Sequence, residues 1–196
     1  MVELKSRMRI ISGEAKGKAL VCVTGEEIRP TPERMRQALF NILAGEVAGA
    51  SILDLFSGTG SLGLEALSRG AEHCVFVEAG YGALQALRKN IECLNYECRT
   101  QVLARDVFNV TMHVDALEQT FDVVFAAPPY AVLEGQSSSN DLFNVFGEIL
   151  HATGTEEATL NLQHSPNSHI PEFTDMLQRT DHRRYGFAEL SRFEKK

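Results

Sequence analysis

Apolar residues along this chain recur with a period of two in some stretches and between three and four in others, and the changes of period divide it into elements. Residues 9–23 (RIISGEAKGKALVCV) alternate apolar positions around a Gly/Lys-rich centre, the pattern of a β-hairpin. In residues 29–43 (RPTPERMRQALFNIL), Met35, Leu39, Ile42 and Leu43 share one helical face, with Thr31 the expected N-cap and Pro32 the first helical residue. Arg34 and Arg36 lie off that stripe. From Ser51 onward, residues 51–56, 74–78, 100–104, 122–126 and 159–163 read as buried strands. Helices are expected through Leu64 and Leu67, over residues 81–94 and over residues 142–150. Repeated βα units predict a mostly parallel sheet with helices on both faces and a ligand site at the carboxyl ends of its strands. Residues 181–185 and 187–193 flank Gly186 too closely for a crossover helix and predict an antiparallel hairpin at the sheet edge. Residues 135–140 (GQSSSN) have the composition of a mobile loop.

Composition narrows the class. A chain of 196 residues, 44% apolar and 23% charged, is long enough for one domain with a substantial core and is neither disordered nor fibrous in character. No apolar run of eighteen residues and no charged-then-apolar leader is present, so neither a membrane span nor a secretory signal is expected, and the expected location is the cytoplasm. Cys22, Cys74, Cys93 and Cys98 lack paired zinc-site spacing and read as reduced structural thiols. The histidines show no ligand spacing, and no metal is expected. The net charge of −7 is unevenly placed: the first forty residues carry eight Lys/Arg against five acids, the last nineteen six against three, and the remainder five against eighteen. Basic ends around an acidic middle permit a local cationic face, and equally permit charges that only solvate the surface.

The strongest motif is ILDLFSGTGSLGLE, residues 52–65, in which a strand runs into a glycine-rich turn and then a helix. Gly58, Gly60 and Gly63 complete a G-x-G-x-x-G pattern that allows a tight turn, close approach of a ligand to backbone and close helix packing. Glu78, twenty residues after Gly58 at the end of the second strand, is placed to accept both hydroxyls of a ribose. These features alone fit a dinucleotide oxidoreductase as well. Asp54 shifts the balance, since a carboxylate at the first strand end repels a pyrophosphate and holds an ammonium group. S-adenosylmethionine has such an ammonium and no phosphate. Asp106, in ARDVF after the third strand, is placed to meet an adenine amino group through its side chain or the adjacent backbone at Val107. Ser57, in the glycine turn itself, completes the candidate cofactor set.

Across nearly its whole length the chain resembles the RsmD-type guanine methyltransferases of bacterial 16S ribosomal RNA. The resemblance rests on RIISGEAKGKAL, RPTPERMRQALFNIL, LDLFSGTGSLGLEALSRGAEHCVFVE, FDVVFAAPPY and RRYGFAELSRF, in that order. It implies a Rossmann-like class I methyltransferase fold: a mostly parallel seven-stranded sheet with an antiparallel C-terminal strand, a basic hairpin-and-helix extension over residues 1–43 and a cofactor-binding domain over residues 44–196. It also implies that Asp54, Gly58, Gly60, Glu78 and Asp106 bind S-adenosylmethionine, and that Arg29, Thr31 and Arg34 border the site. Phosphate contacts to ribosomal RNA, naked or in the small subunit, are expected from Arg9, Lys16, Lys18, Arg29, Arg34 and Arg36. A monomer is expected, with no membrane partner and no specific indication of DNA. The family's Asp/Asn-Pro-Pro-Tyr/Phe motif corresponds to Ala127, Pro128, Pro129 and Tyr130, so the acidic or amide residue is replaced by alanine. The family's Glu-His pair reads Gln163-His164, and the acid two residues after Glu78 reads Gly80. A guanine amine is a poor nucleophile because its lone pair is delocalised into the ring. A side-chain oxygen at position 127 and the Pro128 carbonyl would accept its two N–H groups while Tyr130 stacks the base. Loss of one such group costs roughly a hundredfold in rate, so reduced activity is expected. The alternative is a catalytically impaired protein that binds S-adenosylmethionine and RNA.

Overall fold

The computed structural model describes residues 4–23, 31–110 and 119–196. Two antiparallel strands, β1 (Leu4–Arg9) and β2 (Ala19–Val23), form a separate ribbon. Helix α1 (Glu33–Ile42) follows, and then alternating elements: β3 (Ser51–Leu55), α2 (Ser61–Ser68), β4 (His73–Glu78), α3 (Tyr81–Leu94), β5 (Thr100–Ala104), β6 (Phe121–Ala126), α4 (Tyr130–Glu134), α5 (Gln136–Thr153) and β7 (Gly154–His164). The hairpin of β8 (Leu177–Tyr185) and β9 (Ala188–Lys195) ends the chain. Strands β3 to β9 form one sheet in the order β5-β4-β3-β6-β7-β9-β8. Within it β3 to β7 pair in parallel, and β9 runs antiparallel to both its neighbours. This is the Rossmann-like class I methyltransferase fold implied by the resemblance.

The central strands are apolar at nearly every position because both faces of the sheet are covered. Ile52, Cys74, Phe76, Val123 and Phe125 face a core built with α1, α2 and α3. Their neighbours Leu53, Val75, Val77 and Val124 face the opposite core, filled by Phe143, Phe146, Ile149 and Leu150 of α5. Among the described residues no helix is long and apolar enough to cross a membrane.

Helix α2 is buried on all sides, so its one carboxylate must be fully hydrogen-bonded. Glu65 accepts from the amides of Ile11 (2.7 Å) and Ser12 (3.0 Å) and from Arg69 Nε (2.7 Å). Three residues on, the Ser68 hydroxyl donates to the Ser12 carbonyl and accepts from the Ala15 amide. The N-terminal ribbon is thus tied to α2 through its own backbone, and Lys16 and Lys18 are exposed.

Three expectations need correction. Thr31 does not cap α1: Pro32 occupies that place, and the Thr31 hydroxyl donates instead to Gln163 Oε1 on β7 (2.6 Å). Residues 136–140 are helical rather than a mobile loop. Their hydroxyls find acceptors, Ser139 on the His169 carbonyl and Ser138 on the Val132 carbonyl, so a serine-rich composition does not prevent the first turns of α5. Arg36 is fully buried, with one guanidinium nitrogen donating to the Arg9 carbonyl. The apolar stripe of α1 extends around the helix to Phe40, which draws Arg36 inward and takes it away from phosphate.

Replacing Glu65 with alanine should strand two buried amides and Arg69 together. Equilibrium urea unfolding of Glu65→Ala is expected to show a loss of about 3 kcal/mol, with a smaller loss for Glu65→Gln, which keeps one acceptor.

Candidate cofactor and catalytic site

The parallel strands end along one rim, where β3 passes into the turn Phe56–Gly60 and then α2. Phe56 adopts a left-handed conformation (φ 56°), an unusual choice for an aromatic residue at the point where strand becomes turn. Gly60 also has positive φ (85°), and a side chain there would run into Leu87 of α3. The turn is fixed from several sides. The Ser57 amide and hydroxyl both donate to the Val77 carbonyl (3.1 and 3.3 Å), and the Gly63 amide donates to Asp54 (2.9 Å). Glu78 bridges two segments: one carboxylate oxygen accepts from the Gly58 amide and the other from the Gly80 amide, each at 2.7 Å.

Asp54 is buried, and desolvation pushes its pKa up to about 7, with the Glu78 charge adding to the rise and the Gly63 amide opposing it. A carboxyl poised in this way takes its charge readily when a cation is brought beside it. Glu78 is only half-buried, and its two backbone bonds leave lone pairs for further donors. Asp106 is exposed and caps the short turn Val107–Asn109 by accepting from the Phe108 amide, while Val107 itself is buried.

The next strand of the rim, β6, carries the proline segment. Ala127 is half-buried, and its amide donates to the Leu55 carbonyl (3.4 Å), so the segment starts against the end of β3. Pro128 is buried, Pro129 exposed, and Tyr130 opens α4 half-buried. Ala126 pairs with Leu162 on β7, which sets Gln163 level with Ala127 on the adjoining strand. The Thr31–Gln163 hydrogen bond therefore brings the chain before α1 to the same rim.

The sequence-expected cations fare differently. Lys16, Lys18 and Arg34 are exposed. Arg9 is exposed and paired with Glu33 (3.0 Å), Arg36 is buried as described, and Arg29 lies outside the described residues.

A family model described as "Conserved hypothetical protein 95" matches residues 8–194. The chain belongs to this family, the RsmD-type methyltransferases. It is 32% identical over 190 residues to the Bacillus subtilis protein YlbH, covering 96% of this chain and 100% of that one. With ribosomal RNA small subunit methyltransferase D of Haemophilus influenzae it shares 37% identity over 131 residues, 64% of this chain and 65% of that one, just under two thirds. Among solved structures, a protein of Thermus thermophilus superposes with a TM-score of 0.76 at 32% identity, covering 95% of this chain and 99% of that one. The fold is shared, at a TM-score of 0.74 and 15% identity, with a methyltransferase solved in complex with SAH, the demethylated form of S-adenosylmethionine. The donor set fits it: the glycine turn of residues 52–65 contains no Lys or Arg to receive a phosphate, and carboxylates stand on both sides of it.

Two groups at this RsmD-type site carried no sequence signal. Asn90 lies on the apolar face of α3, where its side chain accepts from the Val21 amide and donates to the carbonyls of Val21 and Thr59. It joins the N-terminal ribbon to the glycine turn, and the only hint was a polar residue between Leu87 and Leu94. The register of β7, β8 and β9 also gathers His164, His182 and Glu189, whose ligand-type atoms lie within 4.8 Å of one another. Both ring nitrogens of His164 are engaged, with the Ser165 carbonyl and the Ser191 hydroxyl, and burial lowers its pKa. Spacing along the sequence could not reveal a cluster that only strand register assembles.

Asp54 yields a pH test. Its raised pKa means that the native state binds a proton the unfolded state has released, so this contribution to stability is present below about pH 4 and is lost as pH rises through about 7. Urea unfolding of the parent and Asp54→Asn should converge at acid pH. The parent should become the less stable of the two by pH 8.

Proposed function

We propose that this protein transfers a methyl group from S-adenosylmethionine to ribosomal RNA, with the exocyclic 2-amino group of a guanine as the acceptor. The observation that carries this reading is the shared rim: buried Asp54, bridging Glu78 and the glycine turn lie on the strands next to the segment Ala127–Pro128–Pro129–Tyr130. When bound, the cofactor supplies an electrophilic methyl group on a sulfonium centre. On this reading Asp54 holds the ammonium group and takes up its negative charge as it does so. Glu78 receives the ribose hydroxyls while its backbone bonds to Gly58 and Gly80 keep it in place. Asp106, with the backbone at Val107, meets the adenine, and Ser57 and Gly60 shape the turn. The Pro128 carbonyl accepts one N–H of the target amine, and Tyr130 stacks the extruded base. Exposed Lys16, Lys18 and Arg34 contribute phosphate contacts, and Thr31 contributes through Gln163. The names of the curated relatives, one of them a small-subunit ribosomal RNA methyltransferase, support the substrate class.

Ala127 favours a second reading, a protein that retains cofactor and RNA binding with weakened catalysis. Its methyl group offers no acceptor for the second N–H of the amine, and the neighbouring Gln163 already uses its amide oxygen on Thr31.

Incubation with radiolabelled S-adenosylmethionine and hypomethylated small ribosomal subunits, followed by nucleoside analysis, tests both readings. Labelled 2-methylguanosine is expected, and its absence with every RNA offered would exclude the first. Ala127→Asp should raise the rate by roughly a hundredfold while cofactor affinity stays level, because the added carboxylate acts on the amine alone. Calorimetry on Glu78→Ala should show cofactor binding weakened roughly tenfold or more, the scale of hydrogen bonds to a charged group.

A further inference from the structure

The β8–β9 hairpin turns at Gly186 and Phe187, and its tip carries features that the cofactor site does not use. Phe187 is 96% exposed, the most exposed large apolar side chain among the described residues. A core function cannot explain it. Tyr185 pairs with Ala188 below the turn, and Gly186 takes the left-handed conformation (φ 63°) that lets the tip close. Register locates the tip in the molecule. Glu189 pairs with His164, two residues beyond the Ala126–Leu162 pair, so the turn stands at the carboxyl-end rim, on the same side of the sheet as Pro128–Tyr130.

Two arginines precede the turn on β8. Arg184 is 67% exposed, with its Nε 3.9 Å from Glu189. Arg183 is 52% exposed and donates from Nε to Asp181 at 2.7 Å. Arg183 pairs with Leu190 and Arg184 with Glu189, so the two guanidinium groups leave opposite faces of the ribbon. Glu189 also accepts from His182 (2.9 Å), and His182 stacks on buried His164, which gives the tip a firm base. The tip thus carries one exposed aromatic ring and, just below it on β8, two exposed arginines, on a chain whose net charge is −7.

We infer that the β8–β9 tip binds single-stranded RNA next to the target nucleotide, Phe187 stacking on a flanking base and Arg183 and Arg184 contacting the adjoining phosphates. A protein partner would be met by a contiguous apolar patch, whereas a lone exposed ring with two guanidinium groups nearby on the same hairpin matches a base and its adjoining phosphates. This inference rests on the RNA methyltransferase reading and assigns that site a further, C-terminal RNA contact.

Filter binding with labelled, deproteinised 16S ribosomal RNA and with assembled small subunits tests it, using the parent, Phe187→Ala, Phe187→Tyr and Arg184→Ala. Phe187→Ala should weaken binding to deproteinised RNA roughly tenfold and raise KM with little change in kcat, whereas Phe187→Tyr, which can still stack, should bind about as the parent does. Arg184→Ala should reduce the slope of log affinity against log salt by about 0.7, one single-strand phosphate contact. Calorimetry with S-adenosylhomocysteine should give parental affinity for every variant, since neither Phe187 nor Arg184 is among the residues assigned to the cofactor. Parental RNA binding by Phe187→Ala would overturn the inference while leaving the methyltransferase reading intact. A loss confined to assembled subunits would mean that the tip docks on a ribosomal protein, and would also overturn it. If the parent itself binds no ribosomal RNA, the functional reading fails and the inference falls with it.

Discussion

The turn between β3 and α2 cannot hold its shape by local sequence alone, and the rest of the site depends on the long-range hydrogen bonds that hold it. Phe56 and Gly60 take conformations that an isolated peptide would rarely keep. They persist because Asp54 receives the Gly63 amide from below, Glu78 receives the Gly58 amide from the neighbouring strand, and Asn90 reaches the Thr59 carbonyl from α3. Each of these side chains belongs to a different element. The turn therefore exists only when β3, β4, α2 and α3 are assembled, and the cofactor contacts proposed for Glu78 and Asp54 are made by groups whose positions the same bonds already fix. Such preorganisation lowers the ordering cost of binding.

The N-terminal ribbon is bound to this arrangement by the same means. Glu65 and Ser68 grip its tip through backbone groups, and Asn90 grips β2. The buried side chains of Met8, Ile10, Leu20 and Cys22 add to this grip by joining the core, while Lys16 and Lys18 are exposed. On the far side, Thr31 reaches Gln163 beside the proline segment. The polypeptide ahead of the sheet is in this way coupled to both halves of the rim, first to the glycine turn and then to the strand adjoining Ala127.

Much of this was legible in the sequence because central strands buried on two faces leave unbroken apolar runs, and a glycine-rich turn between strand and helix has a recognisable spelling. The strand at residues 100–104 and the helix at residues 81–94 were located to the residue. What stayed hidden depended on partners distant in sequence. Thr31 looked like a cap because nothing local announces Gln163, 132 residues away. Arg36 looked like a phosphate ligand because charge argues for solvent, yet its Nη2 finds the Arg9 carbonyl in the interior. Residues 136–140 looked like a loop because the acceptors that satisfy their serines lie on other segments, His169 among them. Composition reports what a residue prefers on average, and these three are decided by one neighbour each.

The insertion of β9 between β7 and β8 bears on the order in which the protein can be completed during synthesis. Strand β8 leaves the ribosome before the strand it pairs with, and among the described residues β9 is its one partner in the sheet. Until residues 188–195 emerge, β7 presents an open edge and β8 has nowhere to dock. That side of the sheet therefore closes only when β8 and β9 dock together, and a chain in which β9 has come away would offer β7 to pairing with another copy.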